Sequence, residues 1–227
     1  MGGTFNPVHN RHLFVGQSVV EQFRLEKLIV GPNGIPPHKS RADVLTGAMR
    51  MRHLAMAVSG NSRMEASAIE IERALRTGQP SFTIDTLQEL TDQYDALYGK
   101  HSWRLNLVVG EDVVPDFRRW HDAEGIKKLA RIIVVPRFAS VNPDKEAEWR
   151  KILSGADVAV ANIDSISDVS STIIRRMIKA GNSAWRYLVP AQVYDDIVAY
   201  GYYLDKAVNP TVAMTALNSS NPAVAGH

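Results

Sequence analysis

Near its start the chain reads Gly2-Gly3-Thr4-Phe5-Asn6-Pro7-Val8-His9-Asn10-Arg11-His12, a glycine-rich turn followed at once by two histidines three positions apart. Glycine lets backbone N–H groups approach phosphate oxygens, and a helix N-terminus adds a partial positive charge. Side chains at i and i+3 share one helix face, so His9 and His12 can donate to a single group if a helix begins near residue 10. Together these features suit a triphosphate. Two other readings stand beside it: structural histidines, or a metal pair, for which no third ligand is evident nearby.

A second candidate lies far along the chain. Ser170, Ser171 and Thr172 sit where a helix should begin, with Arg175 one turn later. Hydroxyls, free backbone N–H groups and a guanidinium would there converge on phosphate oxygens. The plain alternative is an ordinary N-cap followed by a surface arginine. Lys39 follows a rigid Pro36-Pro37 turn and is either a held cation or a solvent-facing loop lysine. Asp112 lies just past a predicted strand, where α/β folds bind ligands, or else caps a helix. Trp120 is a stacking platform or a core residue. Basic residues gather at Arg118, Arg119, Lys127, Lys128 and Arg131, and again at Arg175, Arg176, Lys179 and Arg186. They suit small phosphorylated ligands, unless they are solvated helix faces.

The elements that must position these groups alternate. Apolar residues at helical spacing predict a helix from Asn10 to Arg24, and Leu28–Pro32 then reads as a buried strand. A helix near Thr46–Val58, a strand within Met64–Ile71, a helix at Thr83–Leu97 and the strand Leu105–Val109 follow. Next come a helix at Asp122–Leu129, the strand Ile132–Val135, a helix at Lys145–Leu153 and the strand Val158–Ala161. Helices at Ser171–Ala180 and Pro190–Tyr200 close the series, the last capped by Gly201. This order predicts an α/β fold, a Rossmann-like doubly wound parallel sheet with helices on both faces and C-terminal helices.

Such a sheet carries its ligand loop directly after the first strand, yet the Gly-Gly turn begins at residue 2. The reading is therefore that the first strand is missing and that a segment upstream supplies it. Residues 1–204 are expected to form the folded domain. Residues 205–227, aperiodic and rich in Ala, Asn, Ser, Thr, Pro and Val, read as a disordered tail.

Composition narrows the classes further. The 227 residues are 45% apolar and 22% charged, within globular norms, so the core needs no covalent staples. There is no cysteine, which excludes thiol catalysis, Cys-based zinc sites and disulfides. The 26 Lys+Arg against 24 Asp+Glu leave the chain nearly neutral, without the basic arm of a nucleic-acid binder. No apolar run approaches the roughly 18 residues of a membrane span. These features point to a cytoplasmic protein with small-molecule partners and leave a homo-oligomer open.

The first motif resembles the signature of the nucleotidyltransferase superfamily, Gly-Thr-Phe-Asp/Asn-Pro-x-His-x-Gly-His. Pro36-Pro37-His38-Lys39, Pro80-Ser81-Phe82-Thr83-Ile84-Asp85-Thr86-Leu87, Gly110-Glu111-Asp112 with Phe117 and Trp120, and Ser170-Ser171-Thr172-Ile173-Ile174-Arg175 narrow the resemblance. Their order and spacing are similar to those of bacterial nicotinate-nucleotide adenylyltransferases, over residues 2 to 204. The resemblance implies transfer of AMP from ATP, with Mg²⁺ carried on its phosphates, to nicotinate mononucleotide. It implies catalytic roles for His9, His12 and Arg175. ATP would be bound by Gly3, Thr4, Phe5, Gly110, Asp112, Arg137, Ser170, Ser171 and Thr172, and the mononucleotide by Lys39, Thr83 and Trp120. No metal ligand from the protein is implied. The chain departs from the pattern at Arg11, where the family has glycine, and at Phe138-Ala139, where the family continues with Pro-Gly. Arg11 would either swing out to solvent or enter the ATP site, which motivates an alternative: a nucleotide-binding paralogue without turnover. A superfamily relative such as pantetheine-phosphate adenylyltransferase is the other.

Overall fold

The computed structural model describes residues 1–35, 44–137, 143–163 and 169–204. Lys39 and the segment 205–227 lie outside the described residues. The elements are β1 (Gly2–Gly3), α1 (Asn10–Gln22), β2 (Leu28–Pro32), α2 (Gly47–Val58), β3 (Met64–Ala66), α3 (Ile69–Thr77), α4 (Thr83–Tyr98) and β4 (Leu105–Gly110). They continue with α5 (Ala123–Leu129), β5 (Ala130–Val135), α6 (Pro143–Ile152), β6 (Val158–Val160), α7 (Ser171–Lys179) and α8 (Ala191–Tyr200). Two 3₁₀ segments, Glu111–Arg119 and Ser183–Leu188, complete the order.

Every strand pairing is parallel, in two three-stranded ladders, β1-β2-β3 and β4-β5-β6. Period-two alternation on β5 shows how helices cover both faces. Ile133 and Val135 join a core with Val19, Val20, Leu54, Ile174 and Val193 from α1, α2, α7 and α8. Ile132 and Val134 turn to the other side, against Ile84, Leu87, Ile126 and Trp149 from α4, α5 and α6. The first of these cores runs under both ladders, since Val30 and Val108 share it. This is the doubly wound arrangement expected from strands alternating with helices.

The expected absence of a first strand is corrected. Gly2 and Gly3, read from sequence as a turn, are extended and pair with Gly31 and Pro32 of β2. Gly31 N–H donates to Met1 O at 3.1 Å, Asn33 N–H donates to Gly3 O at 2.9 Å, and the Met1 amine donates to Ile29 O at 2.8 Å. The polar edge of β2 is thus satisfied by a strand of two residues. Helix α3 was not anticipated, because Ile69-Glu70-Ile71 alternates like a strand. Its end was legible in Gly78, which takes φ +68° at the C-cap, a conformation that favours glycine.

Candidate active site

Strand β1 leads into a turn at residues 4–9 and then into α1, with His9 as the N-cap. Phe5 holds φ +48°, left-handed for a side chain, and its ring is buried. That ring crowds Gly3, where an added Cβ would stand 3.1 Å from it and the ring would have to shift. The Phe5 ring meets the His12 ring edge-on at 4.8 Å, and His12 stacks on His9 with centroids 3.6 Å apart. The His9 amide donates to His12 Nδ1 at 3.2 Å. A neutral imidazole accepting at Nδ1 carries its proton on Nε2, so His12 is a hydrogen-bond donor at its far end.

Both rings are held neutral. Burial, and then the neighbouring Arg11 charge, push His9 down to about 4. Burial, His9 and Arg11 hold His12 well below the ordinary histidine value. His9 is buried at the N-cap of α1, in reciprocal capping contact with His12.

Helix α7 docks directly on this turn. Ser171 Oγ donates to Pro7 O at 2.8 Å, and Arg175 Nη1 donates to Asn6 O at 2.7 Å. The second Arg175 Nη reaches Thr172 Oγ1 at 3.4 Å. Ser170 is the N-cap, its Oγ accepting from Ile173 N–H. Two motifs more than 160 residues apart in sequence are thereby brought together, with the N-terminus of α7 beside the paired imidazoles. Ser170 also performs the capping role of the plainer reading, and Ser171 spends its proton on the turn.

Arg11 is held by a contact to backbone. Its Nη2 donates to the carbonyl of Arg137, just past β5, at 3.0 Å, so it spans from α1 to the carboxyl end of the second ladder. The Arg137 side chain is exposed. Gly110 ends β4, and Asp112 folds back over it. A Cβ at Gly110 would fall 2.5 Å from Asp112 Oδ1, so glycine is what lets the carboxylate lie there.

Thr83 and Trp120 form a second neighbourhood. Phe82, which precedes Thr83, stacks at 4.4 Å on His121, which follows Trp120, so the two segments lie side by side. Trp120 packs on Phe117 and lines a groove of about 530 Å³ with Arg118, Lys127 and Ser154. Ser81 Oγ donates to Glu70 O at 3.1 Å and ties this segment to α3. The Glu70 carbonyl would lie 2.3 Å from a Cβ at Gly34, so α3 in turn rests on the end of β2. Burial raises the Glu70 carboxyl above its ordinary value. No described hydrogen bond joins Asp112 or Thr83 to the histidines.

Sequence reasoning missed Asn6, Arg50 and Tyr203. Asn6 is buried, and its Oδ1 accepts from Leu45 N–H and from Tyr203 O–H, both at 3.1 Å. Asn6 lay inside the first motif and was legible there; Tyr203 carried no signal. Among the described residues no three His, Asp or Glu side chains converge to hold a metal ion, and no helix is long and apolar enough to cross a membrane.

The Cytidylyltransferase-like family model matches residues 1–177. A protein of Synechococcus sp. (strain JA-3-3Ab) named "Probable nicotinate-nucleotide adenylyltransferase" is 34% identical over 90% of this chain and 93% of its own length. The chain belongs to the nicotinate-nucleotide adenylyltransferase family. A second family member, from Tropheryma whipplei (strain TW08/27) and named in the same words, is 34% identical over 89% of this chain and 97% of its own length. Among solved structures, the Plasmodium falciparum nicotinic acid mononucleotide adenylyltransferase complexed with NaAD superposes with a TM-score of 0.68 at 17% identity, covering 89% of this chain and 94% of that one. The same enzyme complexed with APC gives 0.67 at 15% identity. These two share the nucleotidyltransferase fold with this chain.

Proposed function

We propose that this nicotinate-nucleotide adenylyltransferase family member transfers the adenylyl group of MgATP to the phosphate of nicotinate mononucleotide. A phosphate oxygen of the mononucleotide attacks the α-phosphorus, the bond from that phosphorus to the bridging oxygen breaks, and pyrophosphate leaves with the electron pair. The products are nicotinate adenine dinucleotide and pyrophosphate. The observation that carries this reading is the docking of α7 on the turn at Asn6-Pro7, which bonds the first turn of that helix and Arg175 to the segment leading into two stacked imidazoles.

The nucleophile is a phosphate oxygen that needs no base, so catalysis reduces to positioning and charge neutralisation. His12 donates from Nε2 to the α-phosphate, where charge grows in the transition state. His9 takes a neighbouring phosphate oxygen. Arg175, Thr172 and the free N–H groups of α7 hold the β- and γ-phosphates, with Ser170 and Ser171 shaping that helix end. Gly3, Thr4 and Phe5 bring backbone close to the phosphates, Gly110 and Asp112 meet the ribose, and Arg137 borders the nucleotide. Mg²⁺ arrives as part of MgATP. Trp120 stacks on the pyridinium ring, Thr83 holds the carboxylate, and Lys39 meets the mononucleotide phosphate. Residues 1–204 act as the catalytic domain and residues 205–227 as an appendage to it.

One observation favours a second reading, a nucleotide binder without turnover: the Arg11 bridge to Arg137 O crosses from α1 to the second ladder. Calorimetry of MgATP binding and chromatographic detection of the dinucleotide, on the parent and on Arg11→Gly, separate the two. Dinucleotide from the parent supports the enzyme. ATP binding without product in the parent, with product restored in Arg11→Gly, supports the second reading instead.

A further inference from the structure

Arg50, on α2, is 1% exposed and sits among core residues, a position where an aliphatic side chain would ordinarily stand. Burial lowers its pKa, and among the described residues its hydrogen bonds run to backbone carbonyls alone. Nε donates to Leu45 O at 3.1 Å, Nη1 to Thr4 O at 3.0 Å, and Nη2 to Asn33 O at 2.7 Å and Gly34 O at 3.3 Å. Those carbonyls belong to three separate stretches. One is the turn before the paired histidines. The others are the end of β2 and the entry to α2, which flank the segment carrying Lys39 in sequence.

The geometry points to Arg50 as a positioning residue for catalysis, one that locks the phosphate turn to both flanks of the Lys39 segment. A guanidinium offers five donors in one rigid plane, so the four carbonyls it satisfies, on three stretches, are fixed relative to one another. A lysine ammonium has neither the plane nor the reach. The lock also orients the turn. In a trans peptide the N–H points opposite to the C=O, and the Thr4–Phe5 peptide is trans. Drawing Thr4 O toward Arg50 therefore directs Phe5 N–H the other way, away from the core. Asn6 works beside it, accepting from the same Leu45 whose carbonyl Arg50 holds.

This inference rests on the adenylyl-transfer reading, and its test keeps the two apart. Arg50→Lys and Arg50→Met are compared with His53→Leu, a second buried change on the same helix that touches neither flank. Steady-state kinetics and amide hydrogen exchange are measured on all three. Arg50→Lys is expected to raise KM for both substrates about tenfold and to lower kcat at least tenfold. Its exchange should quicken at Asn33 and Leu45, whose N–H groups bond to Gly3 O and Asn6 Oδ1, while β4–β6 stay protected, and Arg50→Met should behave alike. His53→Leu should lose stability with kinetic constants within twofold of the parent. Kinetic losses in Arg50→Lys no larger than in His53→Leu at matched stability overturn the role. So does failure of both Arg50 variants to fold, which would make the residue a folding element only. If the parent itself makes no dinucleotide, the functional reading fails, and exchange at Asn33 and Leu45 alone decides the lock.

Discussion

The two halves of the sheet are built by different physics. Among the described residues between 83 and 160 every residue buried as a whole is apolar, although Lys127 buries its side chain beside Glu124, and β4 and β5 pair over six consecutive positions from Leu105 to Gly110. Among the described residues the polar and charged ones buried as a whole, Asn6, His9, Arg50, His53, Arg73 and Asp196, lie outside that stretch. The first ladder is short, with β1 contributing two residues. What it lacks in ladder length is made up by side chains bonding to backbone: Arg50 to four carbonyls, Arg175 to Asn6 O, Ser171 to Pro7 O. One half is held by hydrophobic burial; the other spends polar interactions on holding the phosphate turn. Buried polar groups cost stability unless each is satisfied, so the second strategy is expected where function demands it.

Substitutions should separate the halves. Ile132→Ala, in the hydrophobic half, should cost about 2–5 kcal/mol of stability through the cavity it leaves, with specific activity of the folded fraction unchanged. Chemical denaturation alongside rate measurement checks this, and a specific loss of activity would breach the division. His12→Ala should do the reverse, lowering kcat about 10²–10³-fold, in the range seen for single transition-state donors, with a stability change under about 1 kcal/mol.

Acid should unpick the polar half first. The His9 pKa is about 4 in the folded protein against 6.5 unfolded, so above pH 6.5 both states are neutral and the group contributes nothing. As pH falls from 6.5 to 4 the unfolded chain takes a proton that the folded chain refuses, and stability drops by up to roughly 3 kcal/mol. Denaturation midpoints across that window should fall in the parent and fall less in His9→Asn; parallel curves would remove the histidine from the account. Smallest is Trp120→Ala, expected to raise KM for nicotinate mononucleotide five- to tenfold, about 1 kcal/mol of stacking, with kcat and KM for MgATP nearly unchanged.

The same division explains what could be read from sequence. Strands β2, β4, β5 and β6 and most helices were legible within a few residues, because apolar periodicity is what builds them: Ile132 and Ile133 face opposite cores as neighbouring strand residues must. Periodicity says nothing of β1, whose two glycines carry no pattern, nor of α3, whose Ile-Glu-Ile start imitates a strand. His9, His12, Ser171 and Arg175 were legible as motifs, but their meeting was not, since it depends on bonds from α7 to the carbonyls of Asn6 and Pro7. Arg50 was missed because a lone arginine in a helix signals a surface, and only its carbonyl partners reveal the burial. Arg11 was legible as a departure, while its bond to Arg137 O, across 126 positions of sequence, was not.

The most direct test of the account is Mg²⁺-dependent pyrophosphate release from ATP, with nicotinate mononucleotide, nicotinamide mononucleotide and phosphopantetheine offered in parallel. Release fastest with nicotinate mononucleotide, and lost in Arg175→Ala, is the predicted result. Equal silence with all three acceptors from a folded protein that binds MgATP would contradict it.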